Sequence, residues 1–293
     1  MNRFLAALQI LAFVTFAGNA ADKKIVFVAG KASHGPGEHE HRAGCLLLKS
    51  CLDKVPGVTS IVLSNGWPAD DSAFDGAASI VLYMDGGEGH PALQDSRLET
   101  LGGLMKRGVG LVCLHYATEP TLEKGQKEFL EWIGGAFEAN WSVNPHWEAN
   151  FSKLPKHPIT HGVKPFSIND EWYFHLRFRE GMKGVIPILS AIPPESTMSR
   201  PDGAHEGNAA VREAVKNHET ETVAWASERP GGGRGFGFTG AHMHQNWGND
   251  NFRKIVLNAI VWTAKMDVPR EGIQSHVSDE QLKANLDPKG ARK

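Results

Sequence analysis

The sequence predicts one α/β domain built around a mostly parallel β-sheet. Residues 24–29 (KIVFVA), 79–84 (SIVLYM) and 109–114 (VGLVCL) are almost uninterrupted apolar runs, which is typical of strands buried on both faces. Helical spacing separates these runs, and alternation of strands with helices indicates parallel pairing. No linker or internal repeat divides the 293 residues, a length that fits one large domain.

The first half supplies most of the predicted parallel core. The helix following the first strand places Ala43, Leu47, Cys51 and Val55 on one stripe, the spacing of an amphipathic helix. Sites on such sheets lie outside the carboxyl ends of the strands. The predicted elements are strand 24–29, helix 38–55, strand 58–63, strand 79–84, helix 93–107 and strand 109–114.

The second half is richer in strands and closes with a helix over 251–264 (NFRKIVLNAIVWTA). Residues 193–206 are rich in Pro, Ser and Gly and predict a long loop, of the kind that often forms a lid or an exposed insertion. Residues 269–293 form a polar C-terminal tail that we expect to pack loosely. The further predicted strands are 147–153, 166–178, 185–191, 222–228 and 235–239.

The first twenty residues have the pattern of a secretory signal peptide. Arg3 precedes a short apolar run, and the small-x-small ending near Ala20 is typical of a cleavage site. An uncleaved anchor is the alternative, although the run is short for a membrane span. We therefore expect a signal peptide at 1–20, a domain at 21–268, and a periplasmic or extracellular protein with no membrane segment after cleavage.

Composition narrows the function classes. Lys and Arg total 31 and Asp and Glu total 33, so the formal net charge is −2, and a general nucleic-acid binder is not expected. The chain has 14 histidines but 3 cysteines, which favours imidazole chemistry or metal binding over a disulfide scaffold. Cys45, Cys51 and Cys113 are predicted to be buried thiols.

The first histidine cluster, SHGPGEHEH at 33–41, directly follows the first predicted strand. On a helix, His39 and His41 would project about 200° apart, so only one of them could face a site. We expect His41 to do so at the helix entrance, with His34 reaching in from the loop. The alternative is a solvated polar start of a helix.

Two further histidine positions follow strands. His115 stands at the end of strand 109–114, where a nucleophile elbow would present Ser or Cys. His242 and His244 follow strand 235–239, and an extended backbone would place both on one side, a favourable spacing for metal ligands. The alternative for His115 is a satisfied packing histidine.

The segment DEWYFHLRF at 170–178 alternates between polar and apolar residues. With a strand period of two, its polar face carries Glu171, Tyr173, His175 and Arg177, which could wall a carbohydrate site. Glu171 is the preferred acid/base or ligand. A solvated sheet face is the alternative.

Six motifs, in chain order, carry a resemblance to a known family: SHGPGEHEH (33–41), LHYA (114–117), HPITHG (157–162), DEWY (170–173), GFTGAHMHQNW (237–247) and NAIVWTA (258–264). The chain resembles the ThuA-like (trehalose utilisation) family, whose fold is similar to that of class I glutamine amidotransferases. It is most similar to exported members with a VP-x-x-G tail, here at 268–272.

The resemblance implies a flavodoxin-like three-layer core with extra strands in the second half. It also implies that His115 stands where amidotransferases place their cysteine, so glutamine hydrolysis is not expected, and that His242 falls where that fold keeps its catalytic histidine. The family name implies disaccharide catabolism, with chemistry on oxidised (3-keto) sugars beside a partner oxidoreductase.

Two functions of different class remain open. The first is a sugar isomerase, lyase or hydrolase that uses one divalent metal, Zn²⁺ or alternatively Mn²⁺ or Fe²⁺, and no nucleotide cofactor. The second is a non-catalytic carbohydrate-binding or sensing protein, with tryptophans stacked on sugar rings. The candidate residues are His34, His41, His115 and His242 as metal ligands, Glu171, His115 and His242 as catalytic groups, and Tyr173, Arg177, Trp147, Trp247 and His244 as substrate contacts.

Overall fold

The computed structural model describes residues 21–290, so the predicted signal peptide lies outside the described residues. The strands are β1 (Lys23–Ala29), β2 (Val58–Leu63), β3 (Ala77–Tyr83), β4 (Gly110–Leu114), β5 (Gly135–Ala136), β6 (His146–Phe151), β7 (Phe166–Glu171), β8 (Arg177–Phe178), β9 (Val185–Ala191), β10 (Glu221–Glu228) and β11 (Arg234–Phe238). The helices are α1 (His41–Leu52), α2 (Arg97–Lys106), α3 (Gln126–Trp132), α4 (Ala209–Lys216), α5 (Asp250–Thr263) and α6 (Asp279–Lys283).

Seven strands form the central sheet, in the order β2-β1-β3-β4-β11-β10-β9. The five strands from β2 to β11 pair in parallel, whereas β10 runs antiparallel to both of its neighbours. The continuous apolar runs of β1, β3 and β4 occupy the middle of the sheet, as their composition predicts. The parallel strands bring their carboxyl ends to one edge.

Helices cover both faces of the sheet and complete the predicted three-layer sandwich. Ile25 and Phe27 of β1 pack into the core formed with α1 and α5. Val26 and Val28, which point the opposite way on the same strand, pack into the core formed with α2 and α3. The two-residue period of the strand thus divides one apolar run between two cores.

The predicted strand 166–178 is wrong in its length. β7 ends at Glu171 and pairs antiparallel with β6, whereas β8 begins at Arg177 and pairs with β5. Between them His175 has a φ of 57°, a left-handed conformation that interrupts an extended strand. The polar residues of this segment therefore do not share one sheet face.

The C-terminal segment packs against the domain, contrary to the expected loose tail. Ile273 is buried in the core shared with α1 and α5. Ser278 caps α6 through reciprocal bonds with Gln281. Close to the chain end, the side chain of Lys289 is 6% exposed and pairs with Glu40 at 3.2 Å, immediately before α1. The last described residues therefore hold the region where the histidine-rich loop enters the first helix.

The three cysteines are buried and free, as predicted. No helix within residues 21–290 is both long enough and apolar enough to cross a membrane.

Candidate functional site

Four side chains converge at the carboxyl edge of the sheet. His39 follows β1, His115 follows β4, Glu171 ends β7 and His242 follows β11. His115 and His39 have positive φ angles of 55° and 45°, a conformation uncommon outside Gly, Asn and Asp. These backbone turns aim both imidazoles inward at the strand ends. We call these four residues the histidine–glutamate cluster.

The donor atoms of the histidine–glutamate cluster lie within bonding distance of one another. His39 Nε2 is 3.0 Å from both His115 Nε2 and His242 Nδ1, and those two nitrogens are 3.2 Å apart. Glu171 Oε2 is 3.3 Å from His115 Nε2 and 3.1 Å from His242 Nδ1. One nitrogen from each imidazole and one carboxylate oxygen thus surround a common point.

The outer hydrogen bonds fix which nitrogen of two imidazoles faces inward. His115 Nδ1 lies 2.8 Å from the carbonyl oxygen of Thr239, which can only accept, so this nitrogen carries a hydrogen. His39 Nδ1 lies 2.8 Å from Asp85 Oδ1 and donates to that carboxylate. In the neutral rings both Nε2 atoms then carry lone pairs, and these face each other at 3.0 Å. A hydrogen on His242 Nδ1 can bridge to both acceptors and the Tyr173 hydroxyl can donate to His115 Nε2, and a cation could take the place of these donors.

Buried Asp170 positions the loop that carries His242. Its carboxylate accepts hydrogen bonds from the backbone N–H groups of Ala241 at 2.8 Å and His242 at 3.0 Å. The same carboxylate also accepts from the side-chain amide of Asn246 at 2.9 Å. Charge-assisted hydrogen bonds of this kind are strong, so Asp170 holds the backbone at His242 from within the protein.

The cluster is electrostatically coupled. Burial strongly lowers the pKa of His39, with neighbouring imidazoles acting in the same direction. Burial alone would raise the pKa of Glu171, but the hydrogen bonds with His115 and His242 hold it well below its usual range. Burial likewise opposes protonation of His242, but the Glu171 carboxylate raises its pKa. Glu171 is therefore an anion among imidazoles and is suited to ligate a cation.

The donor atoms are close enough to share one ion. Metal–ligand bonds near 2.0–2.1 Å place neighbouring donors about 3.3 Å apart; five of the six donor separations are 3.0–3.3 Å, and all lie within 4.8 Å. The outer partners Asp85 and Thr239 are the carboxylate and backbone carbonyl that commonly orient ligating imidazoles. A divalent ion of the zinc, manganese or iron type fits this donor set.

The structure corrects the choice between His39 and His41. His41 is the first residue of α1, where its Nδ1 lies 3.0 Å from the carbonyl oxygen of Lys31 and its ring packs against Tyr83. His39 precedes the helix, so the helical rotation used to choose between them does not apply. His34 stays in the exposed loop, stacked on His39, and is not among the four donors.

Of the predicted substrate contacts, Tyr173 lies at the cluster, with its hydroxyl 3.1 Å from His115 Nε2. Trp147 and Trp247 are buried in the core, so neither can stack on a sugar ring. His244 turns away and contacts the carbonyl oxygen of Leu282 through Nε2.

Arg177 also lies away from the cluster. It pairs with Glu138 at 2.9 Å and covers the ring of Trp141. Its separation from Tyr173 follows from the interrupted strand, because the two residues belong to segments with different partners.

Asp85, the carboxylate partner of His39, is not among the residues predicted from the sequence. Asp85 comes directly after the predicted strand 79–84, so its place at a strand exit was an available signal. His205, which lies in the long loop and lines a cleft beside the cluster, is not among them either. No short-range spacing identifies that residue, because its partners come from distant parts of the chain.

A small cleft of about 190 Å³ opens beside the cluster. His39, Glu171 and Tyr173 line it from the cluster side, and His205 and Tyr116 are among the residues that complete it. The donor set therefore borders a space that can receive part of a small polar molecule.

A family model described as ThuA, trehalose utilisation, matches residues 60–263. A putative ThuA-like protein from Bacteroides uniformis has a similar structure, with a TM-score of 0.63 and 14% identity over 87% of this chain and 97% of that one. Another from Parabacteroides merdae gives a TM-score of 0.55 and 13% identity, covering 88% and 94% of the two chains. No curated protein matches the chain in sequence.

Proposed function

The chain belongs to the ThuA family, and from that membership together with the histidine–glutamate cluster we propose that it is a metal-dependent enzyme of carbohydrate catabolism. The family description suggests a role in trehalose or related carbohydrate utilisation. The proposed substrates are disaccharides or their 3-keto derivatives, and the reaction is an isomerisation, elimination or hydrolysis.

One observation carries the proposal: a nitrogen from each of His39, His115 and His242 and an oxygen of Glu171 all lie within 4.8 Å of one another. Without a metal, a proton on His242, whose pKa the Glu171 carboxylate raises, can serve the acceptors of His39 and His115. A divalent ion would take the place of that proton and accept the lone pairs of all four groups.

The cluster residues and Tyr173 have different proposed roles. His39, His115, His242 and Glu171 would hold the ion, which when bound would polarise a keto or hydroxyl oxygen of the sugar. The Tyr173 hydroxyl, beside His115, can hydrogen-bond a sugar oxygen at the cleft. Glutamine hydrolysis is not proposed, because the strand-exit position holds His115 and burial raises the pKa of the Cys113 thiol.

Elemental analysis tests the proposal directly. Purified protein should carry about one divalent ion per chain, and His115→Asn should lose it, since Asn tolerates the left-handed backbone at that position. His218→Asn is the matched control, because His218 is exposed and also has a positive φ. Metal-free protein with ligand binding unaffected by a chelator would contradict the proposal and favour the non-catalytic carbohydrate-binding function.

Substrate class is tested with a panel of ordinary and 3-keto disaccharides, trehalose included. Turnover of at least one member should be lost with His115→Asn and kept with His218→Asn.

We further propose export through residues 1–20 to the periplasm or exterior, and action beside a sugar oxidoreductase that supplies the keto group. Mass determination of the mature protein checks the cleavage near Ala20.

A further inference from the structure

The cleft beside the histidine–glutamate cluster contains a second imidazole–carboxylate pair. His205 Nε2 lies 2.8 Å from Glu119 Oε1. The Glu119 side chain is 5% exposed, whereas His205 is 30% exposed and lines the cleft. A buried carboxylate therefore stands behind an imidazole that remains accessible from the cleft.

Several hydrogen bonds hold the loop that carries His205. The backbone carbonyl of His205 accepts from Asn144 N–H at 3.0 Å and from the Arg200 guanidinium at 3.1 Å. Arg212 in turn donates to the carbonyl of Arg200 at 2.7 Å. The His205 ring stacks on Phe137, with ring centroids 5.2 Å apart. This part of the predicted long loop is thus a fixed wall of the cleft.

Asn144 connects this wall to the cluster. Its side-chain amide donates to Glu171 Oε1 at 3.2 Å, while its backbone N–H donates to the carbonyl of His205. The other oxygen of Glu171 faces His115 and His242. Both carboxylate oxygens of Glu171 are therefore already engaged, one with Asn144 and the other with the cluster imidazoles. His205 is the better placed group for moving a proton in the cleft.

The hydrogen bond with Glu119 decides which nitrogen of His205 is available. The carboxylate accepts from Nε2–H, so in the neutral ring Nδ1 carries the lone pair. Within residues 21–290 this Nδ1 has no hydrogen-bond partner. A carboxylate that orients an imidazole in one tautomer is the arrangement of a general base and its positioning residue.

We propose that His205 is the general acid/base of the cleft and that Glu119 positions it, acting on a keto sugar bound beside the cluster. The inference rests on the proposed function. Neutral His205 Nδ1 takes a proton from the carbon next to the sugar carbonyl. The C–H electron pair forms the C=C bond of an enediolate, and the carbonyl oxygen takes the negative charge. Imidazolium then returns the proton to the same carbon, or to the former carbonyl carbon once the neighbouring hydroxyl proton has moved to the oxyanion and left the new carbonyl, so no oxidant or reductant is consumed.

The charged groups around His205 set its working pH. Glu119 from the β4 exit, Glu206 from the same loop and Glu171 from β7 are all acidic, and the Arg200 guanidinium bonds the His205 carbonyl. The hydrogen bond with Glu119 raises the pKa of His205, against the opposing effect of burial. The basic form thus increases as pH rises through a value above 6.5, the ordinary pKa for histidine.

The test uses metal-loaded protein and 3-keto-trehalose in D₂O, with loss of the signal from the C–H beside the carbonyl followed by proton NMR. His205→Gln keeps an amide N–H for Glu119 but removes the Nδ1 base. It should lower exchange and turnover about 10²–10⁴-fold, with the metal content unchanged. Glu119→Gln should retain part of the activity and move the acidic limb of the pH profile to lower pH. His218→Asn should match the wild type.

The outcomes separate this inference from the proposed function. Exchange by His205→Gln within threefold of wild type overturns the inference alone, as does a metal-loaded wild type that exchanges no hydrogen. An unmoved pH limb in Glu119→Gln overturns the positioning role. A wild type that neither binds metal nor exchanges hydrogen contradicts both the proposed function and the inference.

Discussion

Replacing Asp85 with asparagine tests whether the outer contact of His39 supports metal binding. Asp85 Oδ1 lies 2.8 Å from His39 Nδ1 and 2.9 Å from Ser33 Oγ. The carboxylate fixes the tautomer that turns the Nε2 lone pair inward and makes that nitrogen a better donor. Removing such a contact lowers metal affinity about 10–100-fold in known sites.

The size of the effect follows from the exposure of Asp85. Its side chain is 32% exposed, so water can replace part of the lost charge, and the oxygen of the introduced amide can still accept one hydrogen bond. We therefore expect the lower end of that range, about a tenfold loss or ~1.4 kcal/mol. A larger loss would mean that the substitution also displaces the His39 ring.

The measurement is a competition between apo protein and a chromophoric zinc chelator at fixed pH and ionic strength. Asp75→Asn is the matched control, because Asp75 is exposed and precedes β3, whereas Asp85 follows that strand at the edge where the cluster lies. An Asp85→Asn affinity within twofold of both wild type and the control would refute the reasoning about the His39 tautomer.

Three other results are expected. His39→Asn should abolish stoichiometric metal in elemental analysis, whereas His41→Asn should retain it, and the reverse result would restore the sequence-based choice. Lys289→Ala should cost about 1.5–3 kcal/mol of unfolding free energy in denaturant titration, because the buried Glu40 carboxylate loses its cation but keeps hydrogen bonds from the backbone N–H groups of Gly37 and Asp287; an unchanged midpoint would contradict this. Because the pKa of His205 is raised in the folded state, its pairing should stabilise most below about pH 6.5 and less as pH rises through the folded pKa. The unfolding free energies of wild type and Glu119→Gln should therefore differ more at pH 6 than at pH 9, and a constant difference would contradict that assignment.

The layered core was predictable from the sequence because strands buried on both faces of a parallel sheet are apolar along almost their whole length. The strand over Val185–Ala191 has the predicted bounds, and α5 differs by one residue at each end. The short helix α3 was missed because seven residues carry too little periodicity to separate a helix from a loop.

The candidate site was predicted in part. His115, His242 and Glu171 meet as expected, since residues at strand exits share one edge of the sheet. Two predictions failed where a residue with left-handed backbone turns the chain. His39 lies before the helix and not on it, and His175 interrupts the extended segment that was predicted as one strand. Such turns depend on tertiary contacts, and His205 reaches the cleft only through long-range pairing with Glu119.

The separation of the cluster residues along the chain has a consequence for how the protein matures. His39 and His242 lie 203 positions apart, yet their imidazoles touch. Contacts of such long range form late in folding, after most of the chain entropy has been lost. No fragment synthesised early can hold more than part of the donor set, so an ion held by all four groups could enter only a nearly finished domain. Metal capture would then act as a final step that selects correctly folded molecules and shifts the equilibrium toward them.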